Sequence, residues 1–369
     1  MKKLYGTLIA VGAAAVLAGL GGSADAKVTG PCANCHTMHN SQNGTVMGNT
    51  TATNDSLTID TCAGCHKQDN AADRLTSVDA PAIWGDAAST ATVLPGGYIN
   101  SANADNTKHN VNGTGAQDGV LANTPPGYMA VAAGLPANAA GWGTNRLTCA
   151  GSFGCHGNHS YANETVAIAG GHHNDTAVGF RLLAGIDGTE SSASYKGFGD
   201  TDGNAYDGIN GNSATVGSGT ITGYEDTTTI SYLCGECHGL FHSVGASANT
   251  NLNTTRQADP GGTPWLRHPT DFRLGNASQA WDSYASYGTA GTNAYDEEVP
   301  VGAPLSATTR GTAALPATPA DGIVLCISCH RAHGSDNADL LRWNYDNMIA
   351  GGGGANSDTG CFRCHTNKD

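Results

Sequence analysis

Cys32-Ala33-Asn34-Cys35-His36-Thr37-Met38-His39 holds the pattern around which the whole chain is organised. Two cysteines with two residues between them, followed at once by a histidine, return at Cys62/Cys65/His66, Cys234/Cys237/His238, Cys326/Cys329/His330 and Cys361/Cys364/His365. A stretched copy, with five residues between the cysteines, lies at Cys149/Cys155/His156. All twelve cysteines are used in this way, two per site. The pattern is that of a c-type haem attachment site: two thiols add to the haem vinyl groups and the following histidine binds the iron from one side.

One such copy is also compatible with half a zinc knuckle or a redox dithiol. Six copies in one chain are not, and six disulfides would leave the histidine after every second cysteine unexplained. At the stretched site a loop can bulge between two thioethers; the alternative there is attachment through Cys155 alone, with Cys149 free. The expected cofactors are six covalently bound haem c groups.

Six irons need twelve axial ligands, and His36, His66, His156, His238, His330 and His365 supply six. Eight histidines remain: His39, His109, His159, His172, His173, His242, His268 and His333. Histidine can therefore fill every distal place, and methionine is not needed. Ligation by two histidines closes the iron and favours lower potentials than His/Met ligation. His39, His159 and His333 lie three residues after an attachment-site histidine, and His242 four after. Such a residue stays on the same face of its own haem, so it is expected to bind a neighbouring iron, which forces haem against haem. His109 and His268 stand alone, the latter stiffened by Pro269. His172 and His173 are adjacent, and either is a candidate distal ligand, an outer group that orients a ligand, or part of a peripheral metal site.

Composition agrees with a core made of cofactor. Gly is 52 of 369 residues, aromatics are 6% and charged residues 13%. Such a chain buries too little side-chain surface to offset its conformational entropy unaided. The expected fold class is a multihaem c-type cytochrome, mostly coil with a few short helices and strands, and a haem stack in place of a hydrophobic core. Residues 1–26 read as a signal peptide: Lys2 and Lys3, an apolar Leu8–Leu20 run too short to span a bilayer comfortably, and Ala24-Asp25-Ala26 as a cleavage site. That leaves 27–369 as a single hexahaem domain with no transmembrane segment, exported to the outer surface, the cell exterior or the periplasm. The net charge of −14 reads as solubility outside the cell and offers nothing to nucleic acid.

Regular structure is expected to be sparse. Asp336 to Ile349 reads as a short helix capped by Asp336, and Thr165 to Ala169 and Thr227 to Tyr232 read as short strands. Asp200-Thr201-Asp202-Gly203-Asn204 has the start of a calcium loop, but Ala205 and Gly211 stand where glycine and glutamate are required, so it reads as a solvated acidic loop.

Several stretches together resemble the extracellular cytochrome nanowire family, the OmcS-type hexahaem cytochromes. They are Cys32 to Met47, Thr61 to His66, Lys108-His109-Asn110, His156 to His159, Cys234 to His242, Leu266 to Pro269, Cys326 to His333 and Cys361 to Asp369. They span about a third of the chain, in the family's order and haem number. The resemblance implies a filament of identical subunits with a haem line along its axis. It implies that His39 crosses to the next subunit and binds the fifth haem, on Cys326, Cys329 and His330. It also implies distal roles for His109, His159, His242, His268 and His333. The stretched third site and the His172/His173 pair depart from the family pattern, and one of that pair is a candidate to replace His109 or His159.

Three function classes follow. The first is a conducting polymer that takes electrons from upstream periplasmic or outer-membrane cytochromes, passes them to external acceptors, and is not an enzyme. The second is a monomeric periplasmic or surface electron shuttle. The third is a multihaem reductase, which needs an open iron; the histidine surplus argues against it.

Overall fold

The computed structural model describes residues 31–38, 41–42, 45–46, 57–67, 82–85, 96–121, 123–128, 142–173, 180–186, 188–189, 205–209, 228–238, 257–258, 264–265, 270–274, 299–304, 321–348 and 360–363. The 1–26 leader, the Asp200–Asn204 loop, and His39, His242, His268, Cys364 and His365 lie outside them.

The chain is mostly coil, and three of the four short helices among the described residues hold attachment motifs. Among the described residues, helix α1 is Cys62–Cys65, α2 is Glu164–Ala167, α3 is Ile230–Cys237 and α4 is Cys326–Cys329. A four-residue turn is what the motif chemistry demands, since it brings two thiols and an imidazole to one side. The histidine amide donates to the carbonyl of the first cysteine at His36 (2.8 Å), His66 (2.9 Å), His238 (2.9 Å) and His330 (3.1 Å). This is one turn of helical hydrogen bonding.

Strands are mostly two residues long and pair locally. Strands β1 (Ser41–Gln42) and β2 (Thr45–Val46) form an antiparallel hairpin, and β3 (Trp84–Gly85) pairs in parallel with β4 (Ile99–Asn100). Strand β5 (Gly188–Thr189) pairs antiparallel with β6 (Ala205–Gly208). Beyond them β7 (Gln257–Ala258) pairs with β8 (Pro264–Trp265), and β9 (Phe272–Arg273) with β11 (Ile323–Val324), while β10 (Ala303–Pro304) lies parallel to β6. Gly208 has no alternative at its position, because a Cβ there would lie 2.6 Å from Ile323.

The side-chain clusters are small and sit behind the attachment turns. Leu183, Ile186, Ile230, Leu233, Ile323, Leu325 and Ile327 pack α3 against α4. Ala63, Trp84, Ile99 and Val111 pack behind α1. Val299, Val301 and Trp343 form the third cluster, with Cys329 and Met348 at its edge. No helix among the described residues is long and apolar enough to cross a membrane.

Three expected elements are corrected. Thr165 to Ala169 is helix α2 and its exit, because the Asn163 side chain accepts the Thr165 and Val166 amides at 3.0 and 3.1 Å and so starts a helix. Tyr232 belongs to α3, begun by Thr229, whose hydroxyl accepts the Tyr232 amide at 3.2 Å. In both, a capping side chain outweighs the strand preference of the β-branched residues. The expected 336–349 helix is instead two 3₁₀ turns, Ala338–Leu340 and Tyr345–Asn347, in the residues described to 348. Its backbone bonds outward to the fifth motif: Arg331 N–H donates to Leu340 O at 2.8 Å and Arg342 N–H to Cys329 O at 2.9 Å.

Candidate haem-binding sites

The stretched third motif closes as the others do. His156 N–H donates to Cys149 O at 3.0 Å, the same bond made across the regular motifs, and Cys155 N–H reaches the same carbonyl at 3.2 Å. The five residues between the cysteines form a loop, buried at Ala150, Gly151 and Gly154 and tied by Gly151 N–H to His156 O (2.9 Å), Gly154 N–H to Gly151 O (3.0 Å) and Ser152 N–H to Tyr161 O (2.9 Å). Glu164 of α2 accepts the Cys149 amide at 2.6 Å. Both cysteines are thus presented on one turn, as two-thiol attachment requires.

Four attachment-site histidines face a histidine from elsewhere in the chain. His36 faces His173 and His66 faces His172, each with ring centroids 6.3 Å apart; His156 faces His333 at 6.2 Å; His238 faces His109 at 6.1 Å. Such separations are long for stacked rings in face contact. They match a shared metal: with a metal–imidazole nitrogen bond of about 2 Å and a ring centre about 1.1 Å behind the nitrogen, two imidazoles across one ion have centroids about 6 Å apart.

The second ring nitrogen agrees. A histidine that binds metal through Nε2 holds its Nδ1–H on a carbonyl or carboxylate. Nδ1 of His109 lies 2.6 Å from Ala332 O, that of His156 3.1 Å from Arg181 O, that of His238 2.7 Å from Pro126 O and that of His330 2.6 Å from Asp339 O; His333 is looser, 3.4 Å from Gly97 O. Two of these carbonyls belong to left-handed residues, Arg181 (φ 48°) and Asp339 (φ 57°). The backbone takes up a disfavoured conformation where it meets the imidazole. Burial lowers His156 and His238 to about 4 and His333 to about 3, and also lowers His109. Neutral rings are what a metal needs.

His159 is placed differently. Its Nδ1 is 2.9 Å from the Glu236 carboxylate and its Nε2 3.4 Å from Cys155 O, and the Glu236 bond raises its pKa. Both nitrogens are occupied, and no attachment-site histidine faces it among the described residues. The sequence missed this partner because Glu236 lies 77 positions away, inside the fourth motif.

Among the described residues the first five sites follow one another in chain order. His36 lies within electrostatic reach of His172, His66 of His156, His109 of His333, and His330 of both His109 and His238. The thiols repeat the order: Cys149 hydrogen-bonds Cys62, and Cys234 hydrogen-bonds Cys326.

Residues 318–369, which hold the fifth and sixth motifs, match the family described as a doubled CXXCH motif. No curated protein matches the chain. Among solved structures the chain is similar to the Outer Membrane Cytochrome S filament from Geobacter sulfurreducens, at 18% identity over 87% of this chain and 85% of that one, TM-score 0.42. It is also similar to the OmcS nanowires from the same organism, at 21% identity over the same shares, TM-score 0.39. The repeated motif, its matched doubled form at 318–369 and the coil-rich chain built around it are what covalent attachment of haem c at several sites requires.

Proposed function

We propose that the chain carries electrons through six bis-histidine haems, and that it does so as a head-to-tail polymer outside the cell. The observation that supports this best is the set of four facing histidine pairs at 6.1–6.3 Å. Haem supplies one-electron chemistry, and the protein sets its potential through ligands and burial. With imidazole on both sides, no place is left for a substrate, so the chain acts as a carrier and not as an enzyme.

In this reading His109, His172, His173 and His333 are four of the six distal ligands. The other two come from His39, His242 and His268. The motif resemblance gives the fifth haem to His39 of a neighbouring copy. A ligand given head to tail makes a heterologous interface, which runs on as a fibre unless its rotation closes a ring.

Electron cryo-microscopy of the haem-loaded chain tests this. Filaments with six haems in line per subunit are expected; discrete particles would replace the polymer with a monomeric shuttle. His39→Ala is expected to abolish filaments while six covalent haems remain, and filaments that persist would refute the cross-subunit ligand.

A further inference from the structure

We propose that the adjacent residues His172 and His173 bind two different haem irons, the second and the first, so that one dipeptide fastens two consecutive haems together. This rests on the bis-histidine reading above. His172 faces His66 and His173 faces His36, each pair with centroids 6.3 Å apart and ring planes at 24° and 19°. Nothing in the motif resemblance assigns this pair. Adjacent Cα atoms are about 3.8 Å apart, and a histidine reaches a metal about 6.5 Å from its Cα, so the two irons cannot lie more than about 17 Å apart. The peptide bond between two residues thus puts an upper limit on their spacing.

The local structure presents the pair. Helix α2 ends in a run of turns: Ala169 N–H donates to Val166 O at 3.1 Å, Gly171 N–H to Ile168 O at 2.8 Å and His173 N–H to Gly170 O at 3.0 Å. Gly170 takes φ +80° in open space, a conformation glycine adopts freely. Both histidine side chains leave this turn exposed. The same helix grips the third motif through Glu164 and the Cys149 amide. One short element thus ties the third attachment turn to the ligands of the first two haems. His159, which the resemblance places among the distal ligands, has both nitrogens engaged elsewhere. The dipeptide takes over the place His159 gives up.

The test is the spin state of the haem-loaded full chain, read by electron paramagnetic resonance and magnetic circular dichroism, with covalent haem counted by mass. His172→Ala and His173→Ala should each turn one haem of the chain high-spin, and the double variant two. His159→Ala should leave every haem low-spin. A high-spin haem in His159→Ala, or none in His172→Ala and His173→Ala, overturns the proposal. His109→Ala and His333→Ala separate this from failure of the wider reading: if these also leave all haems low-spin, bis-histidine ligation itself is wrong, whereas a high-spin haem in these two alone leaves it standing and removes only the dipeptide. Should the alanine variants not accumulate, His172→Met serves. A thioether ligand would raise the potential of one haem, and an unchanged set of potentials would overturn the assignment.

Discussion

A histidine is a metal ligand or a proton carrier according to what its two nitrogens touch. At His109, His156 and His238 a carbonyl lies within 3.1 Å of Nδ1, which leaves the Nε2 lone pair for iron. At His159 a carboxylate and a carbonyl take both. These environments give opposite pH dependences. Unfolded histidine takes up its proton near pH 6.5, whereas burial holds His156 and His238 to about 4 and His333 to about 3. Between pH 6.5 and about 4 the unfolded chain binds more protons, so stability falls as the solution is acidified through that window. In the haem-loaded protein iron on Nε2 holds the same rings unprotonated, so its melting temperature should likewise fall as the pH drops below about 6.5, and a flat profile would contradict neutral rings. His159 is raised by Glu236, so its contribution is whole below pH 6.5 and is lost as pH rises through its folded value. Glu236→Gln should lower stability below pH 6.5 by removing that contribution, and with it the loss on the alkaline side. The attachment motifs were legible because covalent chemistry fixes their spacing. The facing histidines were not, because no spacing links His36 to His173, and the offset of three that His159 shares with His333 led to different ends.

A short element in this chain is defined by its cap more than by its propensity. Glu164-Thr165-Val166-Ala167 has β-branched residues and becomes a helix because Asn163 satisfies its first amides. The attachment turn α4 shows how far the sequence arranges this: the Ser328 hydroxyl accepts the Leu325 amide at 2.9 Å, both residues being 1% exposed. Ser328→Ala leaves that donor buried without its partner and should cost about 1–3 kcal/mol, measured by denaturant unfolding of the loaded protein. The bulge of the third motif depends in the same way on glycine. Gly151 has φ +84°, and a Cβ on it would lie 2.4 Å from Tyr161 O. Gly151→Ala should destabilise the loop by about 1–3 kcal/mol and lower haem occupancy at Cys149 and Cys155, which peptide mapping of covalent haem would show. A larger insert was readable as a tolerable bulge, but the recovery of the His156 to Cys149 bond was not, since it depends on Glu164 and Tyr161, outside the motif.

At the scale of the whole molecule the question is what replaces a core. The largest apolar cluster among the described residues has seven members, and the others are smaller. Each backs an attachment turn, and among the described residues the clusters stay separate and do not meet in a common centre. Low aromatic content and 52 glycines left this legible from composition alone. What composition could not give is the sequence of walls, which depends on contacts such as Ser231 of α3 accepting the Cys326 amide at 3.3 Å. A chain of this kind gains its folding energy when thiols and imidazoles close on the cofactor, as metal-dependent domains do on their ion. Without attached haem the facing histidines have nothing to hold them about 6 Å apart, and neutral rings gain more from water than from each other. The full chain made without haem attachment should therefore show no cooperative thermal transition by circular dichroism and no protected amides by hydrogen exchange, whereas the loaded chain shows both. A haem-free chain that melted cooperatively would mean that the small clusters suffice, and that haem only occupies a fold the polypeptide makes by itself.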